Sequence, residues 1–357
     1  MKVLLYCHNV LGFGHIVRSL RIAEELIVRG VACRLITGCR FLDHLHVPDG
    51  VEVVRIPALR AEPDGAMIAV DGGLLGTAIR KRSRRIADEL RTWEPDAMLV
   101  DHNPFGLMGE LIESLQAAKS LRTRFVWGIR DIGSANVFKM TRDVSMYDSA
   151  IAYTDRSWLD TFESYRDVTM PPRTESVGFV TAPIASTPAA DGRPIIAVLS
   201  GGGDSADRLM ELMQHAGDYR MRFVAGPFAP VEDRRPRLSG QAGLLSPTGS
   251  DSEIWSEGSV EDAIAGASLV VCRAGYNTAY SVVQSDLPIV FVPLRGHDEQ
   301  RTRAKRLAEL DNVDCIDEDA GALRTSIETG LRRGRRARAL PFSTDGARRA
   351  AEWIAAP

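Results

Sequence analysis

Two histidine- and aspartate-bearing turns and two glycine-rich turns carry the residue types in this 357-residue chain that suit chemistry. His15 closes the run Leu11-Gly-Phe-Gly-His15, where glycine permits a tight turn and the histidine begins the next segment. An imidazole titrating near neutrality is able to take a proton from a hydroxyl group; a structural histidine is the other reading. Asp101 opens the loop Asp101-His-Asn-Pro-Phe-Gly106. A carboxylate there is able to orient an imidazole or accept its charge, or to stabilise its own turn. Asn103 lies in the same loop, and the pair Arg130-Asp131 follows another apolar run. That pair suits contact with an acceptor or a phosphate, or an internal ion pair. In the second half, Ser200-Gly-Gly-Gly-Asp-Ser205 and Arg273-Ala-Gly-Tyr-Asn-Thr278 both lead into helical patterns. Glycine lets backbone approach a ligand closely, and helix N-termini favour phosphate.

The elements that must position these groups read as alternating strands and helices. Val3 to Tyr6 is a buried strand, and Ile16, Leu20, Ala23 and Ile27 form the inward face of the helix after it. Gly30 ends that helix and Val31 to Ile36 returns as a strand, which makes a βαβ opening. Val17 occupies the third glycine position of a dinucleotide fingerprint, and no Lys-Ser/Thr pair follows, so neither that fingerprint nor a P-loop is present. Gly72 to Arg91 reads as helix, and Ala97 to Val100, Phe125 to Ile129, Ala150 to Tyr153 and Thr174 to Val177 read as further strands. The small and proline-bearing segment Gly178 to Gly192 reads as a linker. Beyond it come strands at Pro194 to Leu199, Arg220 to Val224, Leu269 to Cys272, Pro288 to Val292 and, at an edge, Val313 to Ile316. A long polar region separates the second of these from Gly258. Helices are expected at Asn277 to Gln284, Thr302 to Leu310 and Gly346 to Ala356. The pattern predicts parallel α/β sheets, whose ligands sit outside the carboxyl ends of the strands. The expected division is residues 1–181, residues 182–343, and a tail of residues 344–357 crossing back to the first domain.

The block CRAGYNTAYSVVQSDLPIVFVPLRGHDEQ, from Cys272 to Gln300, combines a GxxT turn, a proline-bounded strand and an acidic-Gln helix start. It resembles the nucleotide-sugar half of the MurG-like glycosyltransferases, family 28, and of related predicted glycosyltransferases. The resemblance implies a GT-B fold, with two Rossmann-like parallel-sheet domains facing an interdomain cleft. It implies an inverting transfer of a sugar from a nucleotide-diphosphate sugar, such as a UDP-N-acetylhexosamine, to an acceptor hydroxyl, with no cofactor and no metal. His15 would be the base and Asp101 its assistant, with Gly12, Gly14, Asn103, Arg130 and Asp131 on the acceptor side. Gly202, Gly203, Ser205, Gly275, Tyr276, Asn277 and Thr278 would meet the donor diphosphate, with Arg273 adding charge and Gln300 reaching hydroxyls of the sugar. Trp255 would lie near the donor base. Two positions depart from the family pattern: Ser281 stands where a ribose-binding Glu is usual, and Gly203 where a Ser is usual. The run Gly12-Phe-Gly-His-Ile16, with Arg18 two residues on, also resembles the UDP-sugar hydrolases of pseudaminic acid synthesis, which activate water instead. Ser281 and Gly203 also permit a non-catalytic sugar-nucleotide-binding or partner protein, although such a protein would have no need of a base at His15.

The net charge of −3 argues against a general nucleic-acid binder. Two basic runs, Arg80, Lys81, Arg82, Arg84 and Arg85, then Arg332, Arg333, Arg335, Arg336 and Arg338, read as solvated faces or as contacts for an anionic membrane surface or a phosphorylated acceptor. The five cysteines lack metal-ligand spacing and read as reduced, mostly buried thiols. Asp317-Glu-Asp319 formally matches a manganese-binding DxD pattern, but lies well beyond the nucleotide motifs. No stretch approaches the ~18 apolar residues that span a bilayer, so a cytoplasmic protein, at most peripheral to the membrane, is expected.

Overall fold

Short aliphatic runs, stopped by glycine or polar residues, alternate with amphipathic segments along the computed structural model. It describes residues 1–8, 13–62, 65–117, 122–184, 192–200, 204–224, 253–255 and 260–356. The chain forms two compact units, Met1–Thr181 with Phe342–Pro357, and Ala182–Pro341.

The first unit opens with β1 (Lys2–Cys7), α1 (Gly14–Val28), β2 (Ala32–Thr37) and β3 (Val51–Arg55). A small antiparallel hairpin, β4 (Leu59–Ala61) with β5 (Met67–Ala69), precedes α2 (Leu75–Trp93). Then come β6 (Ala97–Asp101), α3 (Ile112–Gln116), β7 (Arg124–Ile129), α4 (Ser134–Met140), β8 (Ser149–Ala152) and β9 (Arg173–Ser176). Seven strands form one parallel sheet in the order β3-β2-β1-β6-β7-β8-β9. Strands such as β6 and β8 are buried along their whole length, because helices cover both faces of a parallel sheet. The core on one face gathers Leu4, Tyr6, Met98, Val100, Phe125, Trp127 and Tyr147.

The second unit repeats the plan with β10 (Ile195–Leu199), α5 (Asp204–Ala216), β11 (Arg220–Val224), β12 (Glu253–Trp255), α6 (Val260–Ile264) and β13 (Leu269–Cys272). It continues with α7 (Tyr276–Val282), β14 (Ile289–Phe291), α8 (Asp298–Leu307), β15 (Val313–Cys315) and α9 (Ala320–Arg333). Its parallel sheet runs β12-β11-β10-β13-β14-β15, the strand order of a dinucleotide-type fold. Two parallel-sheet α/β units of this kind make the GT-B fold.

The structure corrects three expectations. Gly178 to Thr181 is not linker: Phe179 and Val180 are fully buried, and this strip pairs with the C-terminal segment through Phe179 N–H to Ser343 C=O (3.0 Å), Gly346 N–H to Phe179 C=O (3.1 Å) and a Val180–Asp345 bridge. From there α10 (Gly346–Ala355) buries Ala350, Ala351 and Ile354 and packs on α1. The polar stretch before Gly258 contains β12, a strand that its composition conceals. Arg82, read within a solvated run, is buried and bonds Glu110. The acidic trio of the DxD pattern is also accounted for: Asp317 pairs with Arg301 (2.6 Å), Glu318 with Arg273 (2.7 Å), and the Asp319 carboxylate caps α9 at Ala322 N–H (2.7 Å).

Candidate active site

In a doubly wound sheet the crevice opens where strand order reverses. In the first unit that point lies between β1 and β6. Register places Cys7, Asp101 and Gly128 abreast on β1, β6 and β7, so the residues that follow them emerge together at the carboxyl ends. His15 sits in the first turn of α1, and Arg18 lies three residues on, hence on the same helix face.

There Nδ1 of His15 lies 2.6 Å from Oδ2 of Asp101. Arg18 donates from Nε to Asp101 Oδ1 (3.0 Å) and from Nη2 to Oδ1 (2.8 Å) and Oδ2 (2.9 Å). Its Nη2 also stands 3.0 Å from His15 Nδ1. A carboxylate only accepts, so the short Asp101 contact assigns the ring proton to Nδ1 and makes the arginine a neighbour of that nitrogen, not its donor. Nε2 is thereby left with its lone pair. The side chains of Arg18 and Asp101 are 1% exposed, while that of His15 is 15% exposed. The Arg18 guanidinium lies 4.7 Å over the ring of Tyr153, the residue after β8.

Two more histidines flank His15. His8 follows β1, its ring centroid 4.2 Å from that of His15; His102 follows β6, its ring near-parallel at 5.7 Å. His102 holds φ at +67°, a left-handed conformation that costs a residue with a side chain of order 1 kcal/mol or more. Its N–H bonds Gly128 C=O (2.9 Å) and its C=O accepts from Trp127 Nε1 (2.7 Å), which fixes the conformation. Burial holds all three imidazoles well below the ordinary histidine range. The Arg18 and Arg130 charges add to the effect at His15, and Arg130 adds to it at His8 and His102. Arg130 therefore belongs to this cluster. Asn103 and Asp131 are half-buried on the adjoining loops. Gly14 starts α1 with open space where a side chain would stand, and Gly12 lies outside the described residues. Beneath the site, Tyr6 Oη donates to Glu110 Oε1 (2.6 Å) and Arg82 Nε to the same oxygen (2.8 Å). Burial works to raise the Glu110 pKa, but the Arg82 charge and these bonds hold it below the usual carboxylate range.

In the second unit the reversal lies between β10 and β13. Leu199, Cys272 and Phe291 are abreast, so Ser200, Arg273 and Val292 follow abreast. Gly202 and Gly203 lie outside the described residues. Ser205 stands in the first turn of α5; its hydroxyl is buried with no hydrogen-bond partner among the described residues, and its C=O accepts from Arg273 Nη2 at 3.3 Å. Arg273 is 4% exposed and its Nη1 also donates to Val292 C=O (2.8 Å). Its charge is thus committed to Glu318 and to two carbonyls. Gly275 caps α7, with Tyr276 buried and Asn277 and Thr278 half-buried behind it. Ser281 is buried in α7, its hydroxyl without a hydrogen-bond partner among the described residues. Gln300 accepts from Leu294 N–H through Oε1 (3.1 Å), which leaves its amide N–H groups to donate. Of Trp255 only its place at the end of β12 is described.

The structure thus joins His15, Asp101 and Arg130 in one unit, and Ser205, Arg273 and Gly275 to Thr278 in the other. Sequence reasoning passed over His8, His102, Tyr153 and the grip of Arg18 on Asp101. The three-residue spacing of His15 and Arg18 on a helix was the available signal.

Comparison with known proteins agrees with this architecture. Residues 258–350 match the glycosyltransferase family 28 C-terminal domain. No curated protein sequence matches the chain. Among solved structures, the calicheamicin glycosyltransferase CalG4 aligns over 99% of this chain and 94% of its own at 17% identity, with a TM-score of 0.60. Acinetobacter baumannii MurG aligns over 98% and 94% at 17% identity, with a TM-score of 0.57. A UGT transferase from Siraitia grosvenorii, solved in complex with UDP, aligns over 99% and 94% at 12% identity, with a TM-score of 0.56. By its matched segment and by its fold, this chain is similar to the family 28 glycosyltransferases of GT-B architecture.

Proposed function

We propose that the protein is an inverting, metal-independent glycosyltransferase that moves a sugar from a nucleotide-diphosphate sugar, a UDP-sugar first among candidates, to an acceptor hydroxyl. The observation that carries this reading is the 2.6 Å contact of His15 Nδ1 with Asp101 at the first switch point, from which we assign the ring proton to Nδ1 and the lone pair to Nε2. Nε2 takes the acceptor proton as the oxygen attacks the anomeric carbon, and the bond from that carbon to the diphosphate oxygen breaks on the opposite face. Asp101 holds the imidazole in its tautomer and stabilises the imidazolium that forms. Within the second unit, the N–H groups at the starts of α5 and α7 suit the charge of a diphosphate.

Purified protein incubated with UDP-sugars and an acceptor pool should release UDP, unaffected by EDTA. His15→Ala should abolish release yet keep the thermal shift given by UDP, because ligand linkage reports binding alone. Asp101→Asn should lower kcat by about 10²-fold or more through loss of the tautomer. Full turnover by His15→Ala would remove the base from the mechanism. Equal release with and without acceptors would assign water as the nucleophile and make the enzyme a hydrolase.

A further inference from the structure

Asp101 has two claimants, and the second is unusual in its completeness. Arg18 reaches both oxygens of the carboxylate with two nitrogens, at 2.8 to 3.0 Å, from a side chain 1% exposed. The ring of Tyr153 backs its guanidinium at 4.7 Å. Gly128 leaves room for that tyrosine, since a Cβ there would fall 1.9 Å from Tyr153 Oη. We propose that Arg18 is a positioning residue for the base: pressed between Tyr153 and Asp101, it fixes the carboxylate so that one oxygen meets Nδ1 of His15, and it keeps the imidazole neutral until the acceptor proton arrives. The inference rests on the reading of His15 as the base.

Two physical arguments support it. A planar guanidinium held in two places sets the plane of a carboxylate, which a single hydrogen bond from an imidazole does not. A full positive charge 3.0 Å from Nδ1 opposes a second proton on the ring and offsets the pull of Asp101 toward the imidazolium. The groups facing His15 from the packed elements are Arg18 on α1, Asp101 on β6, His8 after β1, His102 after β6 and Arg130 after β7. The Cys7 thiol also lies near Asp101, but burial pushes it up to about 12, so it stays protonated across the working range. Of these groups, Arg18 holds both carboxylate oxygens of Asp101.

The test reads the His15 ring directly, by NMR titration of its Cε1–H in the full chain, alongside UDP release. In Arg18→Met the titration midpoint should move up and kcat should fall by about 10²-fold with the donor KM unchanged. Arg18→Lys, which keeps the charge without the fork, should hold the midpoint near its original place and still lose about tenfold in kcat. In an Asp101→Asn background, Arg18→Met should cost less than about threefold more, because the residue it positions is already gone. If Arg18→Met does not fold, Arg18→Lys carries the test, and an undiminished kcat in that variant would overturn the role. An unmoved midpoint with near-normal kcat in Arg18→Met, or costs that multiply in the Asp101→Asn background, would overturn the role. The titration stands even if no UDP-sugar is turned over, so loss of the transferase reading and loss of this inference are separable.

Discussion

Burial sets the protonation of three imidazoles within one small volume, and that has a measurable cost at low pH. His8, His15 and His102 each have a folded pKa below the unfolded value of about 6.5. Where the unfolded chain binds more protons than the folded one, stability rises with pH. Their stabilising contribution is therefore fully present above about pH 6.5 and is lost as pH falls below it, by about 1.4 kcal/mol per pH unit for each proton involved. Urea midpoints taken between pH 7.5 and 5.5 should fall steeply, and His102→Gln should flatten that slope; a pH-independent midpoint would mean that the imidazoles are already hydrated. The same logic places the acid limb of kcat/KM below the ordinary histidine range. At this scale His15 and Asp101 were legible in the sequence because each follows an apolar run that had to be a strand. Arg18 was not, since an arginine on an amphipathic helix usually reaches solvent, and nothing in the residue type of His102 foretells a left-handed backbone.

Between elements, the switch points do most of the work. β1 and β6 carry Cys7 and Asp101 abreast, and β7 sets Gly128 beside Asp101. The closeness of Gly128 to Tyr153 gives a second prediction. Gly128→Ala should cost on the order of 1–3 kcal/mol, because the Cβ meets a buried ring that is fully packed. It should also lower kcat by displacing Tyr153 from under Arg18. Circular dichroism melts and UDP-release rates report the two effects; unchanged values for both would show that the ring has another place to go. Most strands were legible because aliphatic runs in parallel sheets leave little ambiguity. β12 was hidden because an edge strand of three residues needs only one neighbour and few apolar side chains. The helix at Ala320–Arg333 went unread for a related reason: its inward face rests on Leu323, Ile327 and the small Gly330, which packs at Leu269 and Pro288.

At the scale of the whole molecule, the first unit is assembled from both ends of the chain. A Cβ on Gly346 would lie 2.3 Å from the Gly178 carbonyl oxygen and 2.6 Å from the Phe179 carbonyl carbon, both backbone atoms that cannot swing aside as a side chain does. Gly346→Ala should therefore loosen the seam, with hydrogen exchange quickening in α1 and α10 while the strands of the second unit keep their protection; uniform quickening in both units would overturn the assignment of the seam to the first. The helical pattern of residues 346–356 was legible, and so was an expected return to the first domain, but α1 as the helix it packs on was not, because an amphipathic face does not name what covers it. The seam also carries a consequence in time. Synthesis proceeds at about 5–20 residues per second, and the 160 residues of the second unit are made after Thr181 and before Phe342. For roughly ten seconds or more, then, the nascent first unit has Phe179 and Val180 without the Ser343–Gly346 strip that pairs with them and α1 without α10.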